Sequence, residues 1–287
     1  MQIDAVMWPD LPWRESAAEW AAAERIGIGR GWIYDHLSLG PDRARWHEAT
    51  THLAAAAAST SRIGVGTMVT TPNFRDPALT AKAMLTLQDV SGGRLVVGVG
   101  AGGPGVDSDA RGGPELSRAD RMARLEEWTR QLRSLMTTDT VDDAGRWFTV
   151  RDTRLGGSPE QAPPLAVAGT GPKGMRLAAD VGDLWITQDI AQDPRVAASS
   201  AEAEIARQLE LLDRECAAAD RDPRSLPRLA VLGYGTERPL ASAAAFLDAV
   251  ERYERLGIST IAVLWPRGDG AAAQLDVLEE GIRAVSG

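Results

Sequence analysis

The chain has 287 residues, a net charge of −9, 44% hydrophobic and 25% charged residues, which is ordinary for a globular protein with an ample core. The acidic balance, without a basic run, excludes a non-specific nucleic-acid binder. Its single cysteine, Cys216 in "LLDRECAAAD", excludes an internal disulfide and a cysteine metal cluster.

The N-terminus "MQIDAVMWPD" shows no signal peptide, and no apolar run reaches the length of a membrane span, so a cytoplasmic chain is expected. "IDAVMW" (3–8) reads as a strand, followed by a helix over 16–27 with Ser16 and Glu19 spaced as a capping box. "GWIYD" (31–35) is the second strand and 46–60 a helix. "RIGVGTMVT" (62–70) is the third strand, and the helix over 76–91 opens with Asp76 as N-cap and Pro77 at its first position. "RLVVGVG" (94–100) is the fourth strand. A long loop follows it, and helical periodicity resumes near Ser117 and runs over 117–136. Residues 138–163 break the rhythm and suggest a small hairpin turning at Ala144-Gly145, structural or intersubunit in role. "PLAVAG" (164–169) and a helix over 172–182 come next, then "DLWIT" (183–187) and a helix over 200–220. "PRLAVLGYG" (227–235) precedes a helix over 242–257, and "ISTIAVLW" (258–265) precedes the last helix, 271–285.

Eight strands, each followed by a helix, are the count of a (β/α)8 TIM barrel in the α/β class, here with loop insertions. Continuous apolar strands fit a sheet covered on both faces; an open doubly wound sheet shares the alternation. No low-complexity linker divides the chain, so a single domain over 1–287 is expected.

Several motifs invite chemical readings. Gly98, Gly100 and Gly103 match G-x-G-x-x-G. A dinucleotide site needs a helix to open at the last glycine, and here Pro104-Gly105 and then Gly112-Gly113-Pro114 intervene. In a barrel these glycines stand at the C-terminal strand end, where they let a flat ligand approach the backbone. "HEATTH" lacks the spacing of a zinc protease, because His47 and His52 are five apart. They are expected to be surface or capping residues, and no metal is expected. His36 directly follows Asp35 at the end of the second strand, placed for proton transfer or ligand hydrogen bonding; the alternative is an imidazole bonded to local backbone. "AGTGPKG" (168–174) ends a strand and opens a helix, so the N–H groups around Gly169, Thr170 and Gly171 form an anion cradle, with Lys173 able to add charge. Carboxylates at strand ends are few: Asp35, Asp189 and, in a loop, Asp107. A phosphate-bearing ligand, one histidine and little polar machinery fit an enzyme whose cofactor carries the chemistry.

"WIYDH", "RIGVGTMVTTPNFRDPALTAKAMLTLQDVSGGRLVVGVGAG" and "PPLAVAGTGPKGMRLAADVGDLWIT" together resemble the bacterial luciferase-like monooxygenase and coenzyme F420-dependent oxidoreductase superfamily, over essentially the whole chain. The resemblance implies a (β/α)8 barrel, usually homodimeric, with FMN or the deazaflavin F420 at the C-terminal strand ends. The Asp-His pair is closer to the F420-using branch, which makes His36 the catalytic residue and Asp35 a cofactor contact. A non-prolyl cis peptide is implied at Met68–Val69, pressing on the flavin ring, with Thr71 as a nearby hydrogen-bonding group. Gly100, Ala101, Gly102 and Thr187 are the further cofactor contacts, and the phosphate site carries to Gly169, Thr170 and Gly171. The implied activity is F420-dependent hydride transfer to or from a small organic substrate. Its alternatives are an FMN-dependent flavoprotein monooxygenase that uses O2 and reduced flavin from a partner reductase, and a non-catalytic flavin-binding protein. No nucleic-acid or membrane partner is implied. Two departures bear on the substrate: "LSLG" stands where sugar-phosphate dehydrogenases of this branch have a tryptophan, and Gly103 where they have a glutamate. The glycine-rich mouth suits a larger or less polar substrate.

Overall fold

The computed structural model describes residues 1–38, 45–110, 112, 115–189 and 201–286. Leu39 and Gly40 of "LSLG", Gly113 and Pro114 of the long loop, and Ser200 at the expected helix start lie outside them. Strands β1 (Gln2–Met7), β2 (Arg30–Ile33), β3 (Gly64–Thr70) and β4 (Leu95–Val99) are followed by the two strands of a separate antiparallel hairpin, β5 (Val141–Ala144) and β6 (Thr149–Thr153). Then come β7 (Leu165–Ala168), β8 (Leu184–Gln188), β9 (Arg228–Leu232) and β10 (Thr260–Leu264). Eight of them close into a barrel in the order β1-β10-β9-β8-β7-β4-β3-β2, and the pairs β1–β10, β10–β9, β9–β8 and β3–β4 run parallel. The fold is the expected (β/α)8 barrel. By internal contacts the chain forms two compact units, one of Met1–Met7, Ala21–Gly31 and Val167–Gly287, the other of Trp8–Trp20 and Trp32–Ala166.

The helices are α1 (Trp13–Ile26), α2 (Ala49–Ser59), α3 (Pro77–Val90), the single turn α4 (Val106–Asp109), α5 (Arg118–Thr137), α6 (Pro172–Val181), α7 (Ala201–Ala218), α8 (Ala243–Arg255) and α9 (Ala271–Ser286). None among the described residues is long and apolar enough to cross a membrane.

Where capping chemistry is local, the helix starts follow the sequence. Asp76 accepts from the N–H groups of Ala78 and Leu79 at 2.9 and 3.1 Å with Pro77 behind it, and Ser117 accepts from Asp120 N–H at 3.1 Å. Where packing intervenes, they do not. Helix α1 begins a turn before the expected capping box, because Trp13 packs its ring edge-on against His52. Ser16 is therefore inside the helix and buried, its hydroxyl donating to Leu11 O. Helix α2 begins later than expected, at a glutamate cap: Glu48 accepts from Thr50 and Thr51 N–H at 3.2 and 2.7 Å.

The "SGGRL" stretch before β4 is a structural lock. Helix α3 stops at Gly92 and Gly93, both at positive φ (63° and 84°), where other residues are strained. Arg94 then donates to Ala57 O at 2.7 Å and Ile63 O at 2.6 Å, tying α2 and the start of β3 to β4. The hairpin turns at Gly145 as expected. Glu127 of α5 holds the turn, accepting from Arg146, Trp147 and Phe148 N–H at 2.9, 2.7 and 2.7 Å.

Candidate active site

At the end of β2 the chain leaves the sheet at Tyr34, and Asp35 and His36 follow. Asp35 is 2% exposed, and burying a carboxylate requires a partner. Arg75 supplies it as a two-pronged clamp, Nε to Oδ2 at 2.9 Å and Nη2 to Oδ1 at 2.6 Å. The same guanidinium reaches Glu48 at 2.5 Å. Burial works against the charge of Arg75, but hydrogen bonds and attraction from Asp35 and Glu48 outweigh it and raise its pKa above the ordinary arginine range. Burial likewise opposes ionisation of Glu48, yet the bonds from Thr51 and Arg75 hold its pKa down at about 2.

His36 is more open, its side chain 37% exposed. Its Nδ1 lies 2.6 Å from Asp107 Oδ2, and the other oxygen of Asp107 accepts from Leu37 and Ser38 N–H at 2.9 and 3.3 Å. Tyr34 and Trp46 stand beside the imidazole with ring centroids 6.4 and 6.1 Å away, and Trp46 Nε1 donates to Tyr34 O. Asp107 sits on α4, one turn inside the stretch expected to be loop. Its pairing with His36 had no signal in the sequence, since 71 residues separate them.

At the end of β3 the Met68–Val69 peptide is cis, at the position the resemblance implied. The β3–β4 register shifts there, between Thr67 and Thr70. This gives Gly98 of β4 and Gly100 just after it a packing reason as well. A Cβ at Gly98 would lie 2.0 Å from Thr67 O, and one at Gly100 would lie 2.4 Å from Val69 Cγ2, so both make room for the neighbouring strand. Gly102, at φ 65°, has Asn73 Nδ2 and Thr71 Oγ1 at 2.3 and 2.5 Å from the Cβ it lacks. Gly103 has open space around it. Thr71 is buried, and its hydroxyl oxygen accepts from Asn73 N–H. Asn73 bridges onward, donating to Gly103 O at 3.1 Å and accepting from Arg124. Burial, and then Arg121 beside it, lower the pKa of Arg124. Thr70 Oγ1 is buried with no hydrogen-bond partner among the described residues, as expected for a hydroxyl that meets a ligand atom.

The glycine cluster after β7 is also assembled as a cradle. A Cβ at Gly169 would lie 2.8 Å from Gly174 Cα, so glycine lets the strand end and the first turn of α6 meet. Gly169 O accepts from Trp185 Nε1 at 2.7 Å. Gly171 is the N-cap and gives no side-chain bond to the helix; Thr170 and Gly171 are half-buried and Lys173 is exposed. The first N–H groups of α6 thus lack a side-chain cap and are suited to an anion. Thr187 is buried and its hydroxyl bonds Gln208 Oε1 at 2.5 Å, so it offers a ligand lone pairs only. Asp189 is structural: its carboxylate accepts from Gly233, Tyr234 and Gly235 N–H.

The other two histidines differ from expectation. His52 is 4% exposed and accepts from Trp20 Nε1 at 3.2 Å. His47 precedes α2 instead of lying on it, which brings the two rings to 5.9 Å. The two histidines therefore do not share a helix. Burial, then the neighbouring His47, lower the pKa of His52 from 6.5 to about 4. Among the described residues no group of three or more His, Cys, Asp or Glu side chains could hold a metal ion.

An imidazole, a buried ion pair and a cis peptide thus stand at strand ends of a parallel barrel, and barrel enzymes carry their sites at the C-terminal strand ends. The profile of the luciferase-like monooxygenase family matches residues 5–234, and the chain belongs to that family. An F420-dependent glucose-6-phosphate dehydrogenase of Amycolatopsis mediterranei is 35% identical over 170 residues, 57% of this chain and 50% of that protein. An F420-dependent hydroxymycolic acid dehydrogenase of Mycobacterium tuberculosis is 32% identical over 221 residues, 74% of this chain and 56% of that protein. The chain spans about half the length of the curated relatives it matches. The solved structure of an F420-dependent secondary alcohol dehydrogenase in complex with an F420-acetone adduct superposes with a TM-score of 0.83 over 99% of this chain and 98% of that one, at 21% identity. That likeness is one of fold.

Proposed function

We propose that this protein is an F420-dependent oxidoreductase that moves a hydride between the deazaflavin and a small organic substrate bearing a hydroxyl or carbonyl group. The observation that carries the reading is His36: a half-exposed imidazole at the end of a barrel strand, with Nδ1 on Asp107 and no other hydrogen bond from its ring to the described residues. The names of the relatives support it, since the two curated proteins described above are F420-dependent dehydrogenases.

When bound, the deazaflavin supplies the hydride acceptor or donor. The chain's own residues do the rest. Gly169, Thr170 and Gly171 would take the cofactor phosphate on free N–H groups. Met68, Val69, Thr71, Gly100, Ala101 and Gly102 would seat the ring, and the unpartnered Thr70 hydroxyl fits a polar ring atom. Asp35 would act through its fixed charge, already balanced by Arg75. His36 Nε2 would take the hydroxyl proton when the carbinol is oxidised, and return it when the carbonyl is reduced.

Titration of the purified protein with F420 and with FMN, followed by fluorescence quenching, tests the reading. F420 is expected to bind at least about tenfold more tightly, a difference of about 1.4 kcal/mol. Preference for FMN would turn the assignment to a monooxygenase fed by a reductase. Binding of F420 with no turnover on any carbinol would leave a cofactor carrier. A homodimer follows from the resemblance alone, and light scattering on the purified protein checks it.

A further inference from the structure

We infer that Asp107 is the positioning residue of His36. It fixes the imidazole as the Nδ1–H tautomer, so that Nε2 presents a lone pair to the substrate. The inference rests on the role proposed above for His36 and names the group that makes it work.

A carboxylate only accepts hydrogen bonds, so a contact of 2.6 Å between Asp107 Oδ2 and His36 Nδ1 places the proton on Nδ1. The other oxygen is taken by Leu37 and Ser38 N–H, which fixes the carboxylate against the backbone that follows His36. Its side chain is 14% exposed, so water competes little for it. The chain reaches this position by two glycines at positive φ, Gly102 at 65° and Gly105 at 121°. The α4 turn is closed by Ser108, whose hydroxyl donates to Gly105 O at 2.8 Å. Tyr34 and Trp46 flank the ring and limit its rotation. A clasp between the two loops would need only the bonds from Leu37 and Ser38; the third bond goes to the one imidazole atom that decides the tautomer.

Asp107→Asn separates these roles. The backbone N–H groups of Leu37 and Ser38 require the amide oxygen, so the amide nitrogen is left facing Nδ1. Nδ1 must then accept, and the proton moves to Nε2, as in the known case of a triad aspartate replaced by asparagine. The clasp is kept and the tautomer is reversed.

The experiment records long-range ¹⁵N–¹H spectra of ¹⁵N-histidine protein without ligand, at alkaline pH. His36 is expected as Nδ1–H in the wild type and as Nε2–H in Asp107→Asn, with Asp107→Glu restoring Nδ1–H. Carbinol turnover with F420 should fall about a hundredfold or more in Asp107→Asn, with F420 affinity within about twofold and partial recovery in Asp107→Glu. An unchanged tautomer in Asp107→Asn overturns the inference. Full turnover in Asp107→Asn alongside an inactive His36→Ala overturns it too, and leaves the role of His36 standing. Full turnover in His36→Ala overturns both.

Discussion

Lowering the pH should destabilise this protein through His52. In the unfolded chain the imidazole takes its proton near 6.5; in the folded chain burial and His47 delay this to about 4. Below 6.5 the unfolded state therefore binds a proton that the folded state refuses, and stability falls as the pH drops. The contribution is complete above 6.5, is lost progressively towards 4 and is constant below it. The gap between 6.5 and about 4, at about 1.4 kcal/mol per pH unit, corresponds to about 3 kcal/mol, a large part of a typical domain's stability. The control is His52→Gln, which does not titrate and whose amide oxygen can accept from Trp20 Nε1. Urea unfolding followed by tryptophan fluorescence, across the range from above 6.5 to 4, gives both stabilities. Carboxylates titrate in both proteins and cancel in the difference. The wild type is expected to lose about 3 kcal/mol more than the variant. Parallel curves would refute the argument and show that His52 protonates in the folded protein at an ordinary pH.

Gly171→Val should keep the fold, because φ −115° and ψ 166° at this N-cap suit a β-branched residue. It should weaken F420 binding about tenfold or more by crowding the N–H cradle, measured by the same titration; unchanged affinity would put the phosphate elsewhere. Gly98→Ala would bring a Cβ to 2.0 Å from Thr67 O, a backbone atom, and should cost at least about 1–3 kcal/mol in urea unfolding. Arg75→Met would leave Asp35 buried and unpaired, at a cost of about 3–5 kcal/mol. Adding Asp35→Asn should recover part of that loss, and failure to do so would show that the Asp35 charge is not what Arg75 stabilises.

The amino-acid sequence by itself determined the alternation of strands and helices, and with it the barrel. Apolar runs and amphipathic stretches are decided by near neighbours, as are caps such as Asp76 with Pro77 and Ser117. The positions of Asp35 and His36 at a strand end were legible for the same reason, as was the hairpin turn at Gly145. The cis bond at Met68–Val69 was legible only through likeness to a family. The partners were decided by tertiary structure. Arg75 meets Asp35 across 40 residues and Asp107 meets His36 across 71, and a linear pattern carries no trace of such contacts. Packing also overrode local signals. Trp13 on His52 moved the start of α1 past the capping box at Ser16. The same contact covers a histidine, His52, that was expected to be a surface or capping residue. Gly98 and Gly100 answer to the strand beside them, because a bulged neighbour leaves no room for a Cβ. A sequence shows that a glycine is present; only the folded chain shows what occupies the space of its missing side chain.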